Sequence, residues 1–369
     1  MATVHTPVLV ALADGTCFEG HSVGAVGETF GEMVFNTSMT GYQEILTDPS
    51  YAGQMVTMTY PHIGNYGVNA DDEESTRPHV RALLMKSCCP RPSNHRSTAS
   101  LGEYLQEHDV LGVESIDTRQ LTRRIRVHGA MNAAVSTVDL DPESLVARAR
   151  AWEGLEGVDL VRSVTCDAAY DVAPQGDARH HVVAFDYGIK RNIINCLVAE
   201  GCRVTVVPAT TSADEALALN PDGFFLSNGP GDPRPLDYAI DAARQLVEHA
   251  KRPIFGICLG HEILGLALGA QIYKLKFGHR GANQPIREHS TGRILITSEN
   301  HGWGILRDSL PECLEVTREN LNDGCIEGMR HRHLPVFSIQ CHPEASPGPH
   351  DSVHLFGTFA EMMSQRRAA

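Results

Sequence analysis

Residues from about 181 to 268 alternate between short apolar runs and stretches with helical spacing, and this rhythm restricts the fold more than any other feature. The helical stretches place apolar side chains three and four positions apart. Strands that alternate with helices predict an α/β fold, in which a parallel sheet is covered by helices on both faces. The predicted strands lie at 181–187, 203–207, 223–227 and 254–257, and the predicted helices at 189–200, from Ser212, at 236–250 and after Cys258.

The first half of the chain has a different pattern, with short strand-like runs broken by turns. The dipeptide Asp14-Gly15 joins two apolar runs and favours a hairpin. Asp117 is placed to cap a helix that ends near Gly129, and a second helix is predicted over 142–152. We therefore expect a smaller mixed α+β domain over 1–152, a linker region of mixed composition and little periodicity over 153–180, and a mostly parallel α/β domain over 181–369.

The composition excludes several classes of function. The 369 residues include 31 Lys+Arg and 45 Asp+Glu, and the formal net charge of −14 argues against nucleic acid or an anionic membrane surface as the main partner. Ten cysteines without a Cys-x-x-Cys pair give no indication of a zinc ribbon or a dithiol redox motif. Neither a signal peptide nor a membrane span is predicted, so we expect a cytoplasmic location.

The strongest local motif is Gly256-Ile257-Cys258-Leu259-Gly260, which lies between an apolar strand and an apolar helix. It has the spacing of a nucleophile elbow, with cysteine as the nucleophile. The flanking glycines permit a sharp turn, and the amino end of the following helix stabilises a thiolate. Because the motif is only five residues long, a structural cysteine between two loop glycines is the alternative interpretation.

His342-Pro343-Glu344 supplies a base and a group to orient it, and it follows another apolar run. A proline favours an extended backbone at the residue before it, and in an extended segment residues two apart share a face. We therefore expect the imidazole and the carboxylate to point into the same site, as a catalytic triad requires. The alternative is an incidental surface histidine, one of 19 in the chain.

A third motif, Ser-Asn-Gly-Pro-Gly-Asp, follows the predicted strand at 223–227. Gly229 and Gly231 allow the backbone to approach a ligand and to direct N–H groups at an oxyanion, although an ordinary turn has the same composition. The chain has no G-x-x-x-x-G-K-[ST] loop and no HExxH, since His261-Glu262 is followed by Ile-Leu-Gly. These absences predict that the chain holds neither a nucleotide cofactor nor a metal.

In this order, each at the end of a strand, the three motifs resemble those of the class I (triad) glutamine amidotransferases. Longer runs are similar to the family of carbamoyl-phosphate synthetase small subunits, over nearly the whole chain. Other class I amidotransferases, such as anthranilate or aminodeoxychorismate components, lack the N-terminal half and are the alternative that this half disfavours. The runs are VFNTSMTGYQEILTDPSY (34–51), TYPHIGNYG (59–67), SIDTRQLTRRIR (115–126), FDYGIKRNI (185–193), FLSNGPGDP (225–233), KFGHRGANQP (276–285) and HPEASPGPHD (342–351).

The resemblance implies a glutaminase that works with a partner. Cys258 would attack the carboxamide of glutamine, His342 would transfer the proton, and Glu344 would orient His342. The ammonia would pass to a separate large subunit, which holds ATP and Mg²⁺ and makes carbamoyl phosphate for arginine biosynthesis, pyrimidine biosynthesis or both. This chain of the heterodimer would need no cofactor. The resemblance implies an oxyanion hole near Gly231 and Leu259, and a glutamine pocket lined by Ser50, Gly229, Gly231, Leu259, Glu262, Asn300, Gly302 and Trp303.

Several positions depart from the usual pattern of the family. Glu262 stands where glutamine is usual, and an ionised carboxylate there would repel the carboxylate of the substrate, whereas a protonated one would be tolerated. We therefore expect weakened glutamine affinity, and a docking subunit with impaired catalysis is the alternative. Glu299 also replaces a glutamine, and Trp303 replaces a phenylalanine, which is a conservative change. Cys341 is a second thiol beside His342, and we expect its role to be structural.

Overall fold

The computed structural model describes residues 6–368, and the chain divides into two compact units, Met1–Glu156 and Gly157–Ala369. The division falls inside the segment predicted as a linker, 153–180. Tyr170–Val172, from that segment, pairs antiparallel with Cys202–Pro208 and so forms part of the sheet of the second unit. Within the described residues, no helix has the length and the apolar character needed to cross a membrane.

The first unit is built on a closed barrel, in the order β1-β2-β8-β6-β4-β3-β9. Strands β1 and β2 form the hairpin that Asp14-Gly15 predicts. Four successive strands of the barrel, β3, β4, β6 and β8, run parallel to one another, and the other pairs of neighbouring strands are antiparallel. The strands are β1 (Pro7–Leu12), β2 (Cys17–Ser22), β3 (Glu28–Asn36), β4 (Gln54–Met58), β6 (Ala82–Leu84), β8 (Leu111–Glu114) and β9 (Met131–Ser136), with a separate pair β5 (His62–Ile63) and β7 (Ser87–Cys88).

The two helices predicted for the first unit begin and end close to the predicted residues, and the described residues form two further helices, Tyr42–Thr47 and Leu101–Glu107, that were not predicted. The Asp117 side chain accepts the Gln120 N–H at 2.9 Å, and Gly129 ends that helix at φ 99°. The next helix has Asp141 as its cap, and it packs on β1 and β9 through a small apolar cluster. The four helices are α1 (Tyr42–Thr47), α2 (Leu101–Glu107), α3 (Thr118–His128) and α4 (Pro142–Ala151).

The second unit contains a ten-stranded sheet, in the order β10-β12-β11-β13-β14-β19-β18-β17-β15-β16. Five neighbouring strands of this sheet, β12, β11, β13, β14 and β19, run parallel to one another. The five remaining pairs of neighbouring strands in the described sheet are antiparallel. The prediction of a mostly parallel sheet is therefore wrong, and the sheet is mixed. From residue 272 to residue 339 no α-helix separates the described strands, although a 3-10 turn, Arg307–Ser309, lies between two of them. Short connections join three pairs of antiparallel neighbours.

The elements of the second unit follow the predicted alternation up to residue 267. Helix α7 continues into a π-helical turn, Leu246–Ala250. The strands are β10 (Tyr170–Val172), β11 (His180–Asp186), β12 (Cys202–Pro208), β13 (Gly223–Leu226), β14 (Ile254–Ile257), β15 (Ile272–Glu288), β16 (Ile294–Ile305), β17 (Leu314–Asn320), β18 (Ile326–His331) and β19 (Val336–Ile339). The helices are α5 (Arg191–Ala199), α6 (Ala213–Ala218), α7 (Asp237–Gln245), α8 (Leu259–Ala267) and α9 (His354–Ala368).

Alternate side chains of β11 pack into two different apolar clusters. Val183 and Phe185 lie in a cluster with residues of α6, α7 and α8, whereas Val182 and Ala184 lie in a cluster with residues of α5 and α9. Because successive strand residues point to opposite faces, the parallel strands are buried on both sides. Ligands of such sheets bind at the carboxyl ends of the strands, where the three sequence motifs lie.

Candidate active site

Cys258 occupies a strained turn between β14 and α8. Its backbone has φ 54° and ψ −106°, a conformation that residues with a side chain rarely adopt, and its side chain is buried. A Cβ on Gly256 would lie 2.7 Å from the carbonyl oxygen of Gly260, and a Cβ on Gly260 would overlap the carbonyl of Leu226. Both glycines of the motif are thus required by close backbone packing, as a nucleophile elbow demands.

The surroundings of the Cys258 thiol come from β16 and from the segment after β19. The Cys258 N–H donates to the Ile339 carbonyl at 2.9 Å, so the segments that follow β14 and β19 leave the sheet side by side. The thiol Sγ lies 3.6 Å from the Asn300 carbonyl oxygen, which accepts its hydrogen bond. The Gln340 side-chain amide donates to Sγ at 3.8 Å. The residues that follow β19 therefore lie beside the nucleophile, and His342 is two residues further along.

His342 and Glu344 are brought together by a turn. The His342 Nδ1 lies 2.8 Å from Glu344 Oε1, and the Ala345 N–H donates to the His342 carbonyl at 3.2 Å. The predicted extended backbone is therefore corrected: Pro343 occupies the second position of a β-turn, where its fixed φ is favoured. Since a carboxylate only accepts, Nδ1 carries the proton. In the part of the chain that the structure describes, the buried Nε2 has no hydrogen-bond partner.

Lys190 contacts the predicted triad, and the motif analysis did not identify it. Its Nζ lies 2.5 Å from Glu344 Oε1, and both side chains are buried. Burial alone would raise the pKa of Glu344, but the Lys190 ammonium and the His342 imidazole outweigh it and lower that pKa to about 2. Asn192 Nδ2 also donates to the Glu344 carbonyl at 2.5 Å. The position of Lys190, directly after a buried parallel strand, was the available indication in the sequence.

The glycine-containing loop after β13 packs against the elbow. A Cβ on Gly229 would lie 2.6 Å from a methyl carbon of Leu259 and would overlap the Tyr187 carbonyl. Gly231 has φ 84°, in the left-handed region that favours glycine. The loop therefore approaches the amino end of α8 as closely as its backbone allows. This places the predicted oxyanion-hole residue Leu259 directly beside Gly229.

A charged pair at the end of this loop contacts Trp303. The Asp232 carboxylate is buried, lies 2.6 Å from Arg234 Nη2 and accepts the Gly157 N–H at 2.9 Å. Burial raises the pKa of Asp232, but hydrogen bonds from Arg234 and from the Gly157 backbone outweigh it and leave the pKa below its usual range. The Arg234 guanidinium stacks over the Trp303 ring, 4.3 Å from its centroid. Trp303 thus forms a cation–π contact with a fixed arginine.

Glu262 is buried on α8, one turn after the nucleophile. Its Oε1 accepts a hydrogen bond from Gln340 Nε2 at 3.1 Å. Burial raises the pKa of Glu262 well above its usual range, and nearby Asp232 adds to the effect, while the Gln340 hydrogen bond opposes it. The environment therefore favours the protonated, neutral carboxyl. A neutral carboxyl can donate a hydrogen bond in place of the amide that the family usually has here.

The remaining predicted site residues lie in different parts of the chain. Asn300 is buried on β16 beside the Cys258 thiol, and Gly302 follows on the same strand, where a Cβ would lie 3.4 Å from the Arg280 guanidinium. Ser50 belongs to the first unit, where it is buried in the turn Pro49–Tyr51 and its N–H donates to Asp48 at 2.9 Å. The second unit thus brings together every predicted site residue except Ser50.

Cys341 is fully buried in the apolar cluster that includes Ile339 and α9. Burial raises the pKa of the Cys341 thiol well above its usual range. A thiol that resists ionisation is a poor nucleophile, which agrees with a structural role.

Comparisons with known proteins give the family of the chain. The carbamoyl-phosphate synthase small chain, CPSase domain, matches residues 10–135, and the class-I glutamine amidotransferase domain matches residues 183–362. Carbamoyl phosphate synthase small chains from Syntrophotalea carbinolica and Chlorobaculum tepidum are each 55% identical, over 97% of this chain and 98% of theirs. The small chain from Synechocystis is 52% identical, over 98% of this chain and 97% of its own. The chain therefore belongs to the carbamoyl phosphate synthase small-chain family, and its second unit carries a class I glutamine amidotransferase domain.

Proposed function

We propose that this chain is the glutamine-hydrolysing subunit of a carbamoyl phosphate synthase. The observation that carries the proposal is the strained, buried Cys258 beside a segment in which His342 and Glu344 are 2.8 Å apart. Nucleophile, base and orienting carboxylate are the three parts of a catalytic triad. Membership of the small-chain family specifies glutamine as the substrate.

The first chemical step forms a thioester and releases ammonia. His342 Nε2 takes the thiol proton, the Cys258 sulfur attacks the carboxamide carbon, and the carbonyl oxygen becomes an oxyanion. When the C–N bond breaks, the imidazolium returns that proton to the departing nitrogen, which leaves as ammonia. Glu344, kept ionised by Lys190, stabilises the imidazolium through Nδ1. Water then adds to the thioester with His342 as base, and glutamate leaves as the thiol is restored.

The loop after β13 and the amino end of α8 provide the expected oxyanion hole. We propose the backbone N–H groups of Gly231 and Leu259 as its donors, supported by the close packing of Gly229 on Leu259. For the glutamine pocket we propose Gly229, Glu262, Asn300, Gly302 and Trp303 of the second unit, and Ser50 stays a prediction. The fixed Arg234–Trp303 contact supports the placement of Trp303 as a rigid wall.

The partner in this proposal is a large subunit, as the small-chain name of the relatives implies. The large subunit would hold ATP and Mg²⁺ and would receive the ammonia from this chain in a heterodimer. We assign the partner interface to the first unit, whose motifs include no nucleophile or base. We also propose that the second unit retains the arrangement of its class, with helices on both faces of the parallel strands, supported by its two apolar clusters.

A second candidate, a docking subunit with impaired catalysis, is favoured only by Glu262. The experiment that separates the two is reconstitution with the large subunit, with carbamoyl phosphate formation measured from glutamine and from ammonia. We expect synthesis from both donors with the wild-type chain, and from ammonia alone with Cys258→Ser. If the wild-type complex uses ammonia but not glutamine, the docking function is correct and the proposed glutaminase is wrong.

A further inference from the structure

Four buried side chains that the mechanism does not use converge behind Asn300. His279 lies on β15, Glu299 and His301 on β16, and Glu327 on β18. The two imidazoles face each other with His279 Nδ1 and His301 Nε2 3.1 Å apart. Glu327 Oε1 lies 3.7 Å from His279 Nδ1, and Glu299 Oε2 lies 3.4 Å from His301 Nε2. One ligand atom from each of His279, His301 and Glu327 lies within 4.8 Å of the other two.

Acceptors on the outside of this group fix the tautomer of each histidine. His279 Nε2 lies 2.9 Å from Asp323 Oδ2, and His301 Nδ1 lies 2.7 Å from the Trp303 carbonyl oxygen. Because both partners only accept, these nitrogens carry the protons. In neutral imidazoles His279 Nδ1 and His301 Nε2 are then the unprotonated nitrogens, and they face each other across 3.1 Å. Histidines that bind metals are oriented in this way, by a carboxylate or a backbone carbonyl on the outer nitrogen.

Each of the two carboxylates also has one buried oxygen without a hydrogen-bond partner in the described part of the chain. Glu299 Oε2 and Glu327 Oε2 are buried and have no hydrogen-bond partner within the described residues. Their other oxygens are held, since Thr297 Oγ1 donates to Glu299 Oε1 at 2.8 Å and Asn320 Nδ2 donates to Glu327 Oε1 at 3.1 Å. A buried carboxylate oxygen without a partner is costly, and a cation would satisfy both at once.

We propose that His279, His301, Glu299 and Glu327 bind a divalent transition metal, with Zn²⁺ as the best match. Zn–N distances of about 2.0–2.1 Å in a tetrahedron separate two ligand nitrogens by roughly 3.3 Å. Three separations lie close to that value: His279 Nδ1 to His301 Nε2 at 3.1 Å, His301 Nε2 to Glu299 Oε2 at 3.4 Å, and His279 Nδ1 to Glu327 Oε1 at 3.7 Å. Two carboxylates neutralise the charge of the ion. Mg²⁺ and Ca²⁺ prefer sites built of oxygen, so two imidazoles argue against them.

The bound ion would link β15, β16 and β18 behind the active site. Asn300, whose carbonyl accepts the hydrogen bond of the Cys258 thiol, lies between the ligands Glu299 and His301. The role that follows is positional: the ion fixes the strand segment that forms one wall of the thiol site. The prediction that the chain holds no metal rested on contiguous motifs. These ligands escape such a search because they come from three strands.

Metal analysis of the full-length chain tests the proposal directly. After chelation and dialysis against Zn²⁺ alone, we expect one bound Zn²⁺ per chain by mass spectrometry and a raised melting temperature. The double variant Glu299→Gln/Glu327→Gln keeps the side-chain shapes and should lose stoichiometric binding. Asp323→Asn should weaken Zn²⁺ binding about 10- to 100-fold. His333→Ala, at an exposed histidine, and Cys258→Ser are the controls, and both should retain the ion.

Replacement of Zn²⁺ by Co²⁺ gives a second measurement that needs no variant. We expect the intense visible bands of tetrahedral Co²⁺, without the near-ultraviolet band that a thiolate ligand produces. Absence of binding, a weak octahedral spectrum, or equal binding by the double variant would overturn the proposal. Loss of binding in Cys258→Ser would also overturn it, since the ion would then belong to the catalytic thiol.

Discussion

Lys190 and Glu344 form an ion pair of 2.5 Å that is buried on both sides. The same Glu344 oxygen lies 2.8 Å from His342 Nδ1, so one carboxylate oxygen binds both the ammonium and the imidazole. The lysine keeps the carboxylate ionised, and the carboxylate fixes the histidine tautomer. The base of the proposed triad is therefore positioned by a residue that contacts neither the thiol nor, in our mechanism, the substrate.

Replacement of Lys190 by methionine should destabilise the chain and lower glutamine hydrolysis together. The substitution leaves Glu344 buried without its cation, and loss of one partner of a buried pair costs about 3–5 kcal/mol. Urea unfolding monitored by circular dichroism measures this loss. Arg162→Met is the matched control, since Arg162 pairs with Asp159 at an exposed site and should change stability by about 0–1 kcal/mol. Equal stability of the two variants would contradict the assigned role.

Acid should remove a contribution that Glu344 makes to stability. The pKa of Glu344 is about 2 in the folded chain and has an ordinary value of 4.5, so between these pH values the unfolded chain binds more protons. The contribution, about 3 kcal/mol, is therefore complete above pH 4.5 and is lost as the pH falls towards 2. The stability advantage of wild type over Glu344→Gln should shrink across this window. An advantage that is constant with pH would contradict the account, and Glu361→Gln, at an exposed site, is the control.

The parts of the fold and site that depend on local sequence were predicted. The elbow glycines around Cys258, the Asp14-Gly15 hairpin and the Asp117 cap follow from short-range sterics and hydrogen bonds. His342 and Glu344 are close as expected, although a β-turn at Pro343, not an extended segment, brings them together.

The parts that depend on long-range pairing were not predicted. Closure of the barrel and the antiparallel half of the sheet depend on which strands pair, and the apolar patterns of single segments do not give the order of strands in a sheet. Lys190 meets Glu344 only because β11 and the segment after β19 end at the same edge of the sheet. His279 and His301 face each other because β15 and β16 pair at these residues.

Glu262→Gln should strengthen glutamine binding, most clearly at alkaline pH. Burial raises the pKa of Glu262, so the neutral form that tolerates substrate is lost as the pH rises through that pKa. One restored hydrogen bond of about 1 kcal/mol corresponds to a roughly fivefold lower KM. Glutaminase kinetics across pH measure this, with kcat little changed. A KM that is the same for both chains at every pH would show that Glu262 does not affect glutamine binding.

Gly260→Ala should abolish activity by distorting the elbow. A Cβ at this position would lie 2.1 Å from the Leu226 carbonyl oxygen, and a backbone carbonyl of a buried strand cannot swing aside as the end of a flexible side chain can. Such overpacking costs about 1–3 kcal/mol, and a shift of the Cys258 turn removes the nucleophile from its base. Gly176→Ala is the control: its Cβ meets open space, and the cost is only the positive-φ strain, about 1 kcal/mol. An active Gly260→Ala variant would contradict the packing argument.

The most direct test of the central claim is to trap the glutamyl thioester. The reconstituted complex is mixed with glutamine, quenched in acid and digested, and the cysteine peptides are analysed by mass spectrometry. The account predicts a glutamyl group on Cys258 and none on the buried thiol of Cys341. Of the two variants, Cys258→Ser should show no adduct, whereas Cys341→Ser should retain the adduct. An adduct on Cys341, or glutamate release by wild type no faster than by Cys258→Ser, would contradict it.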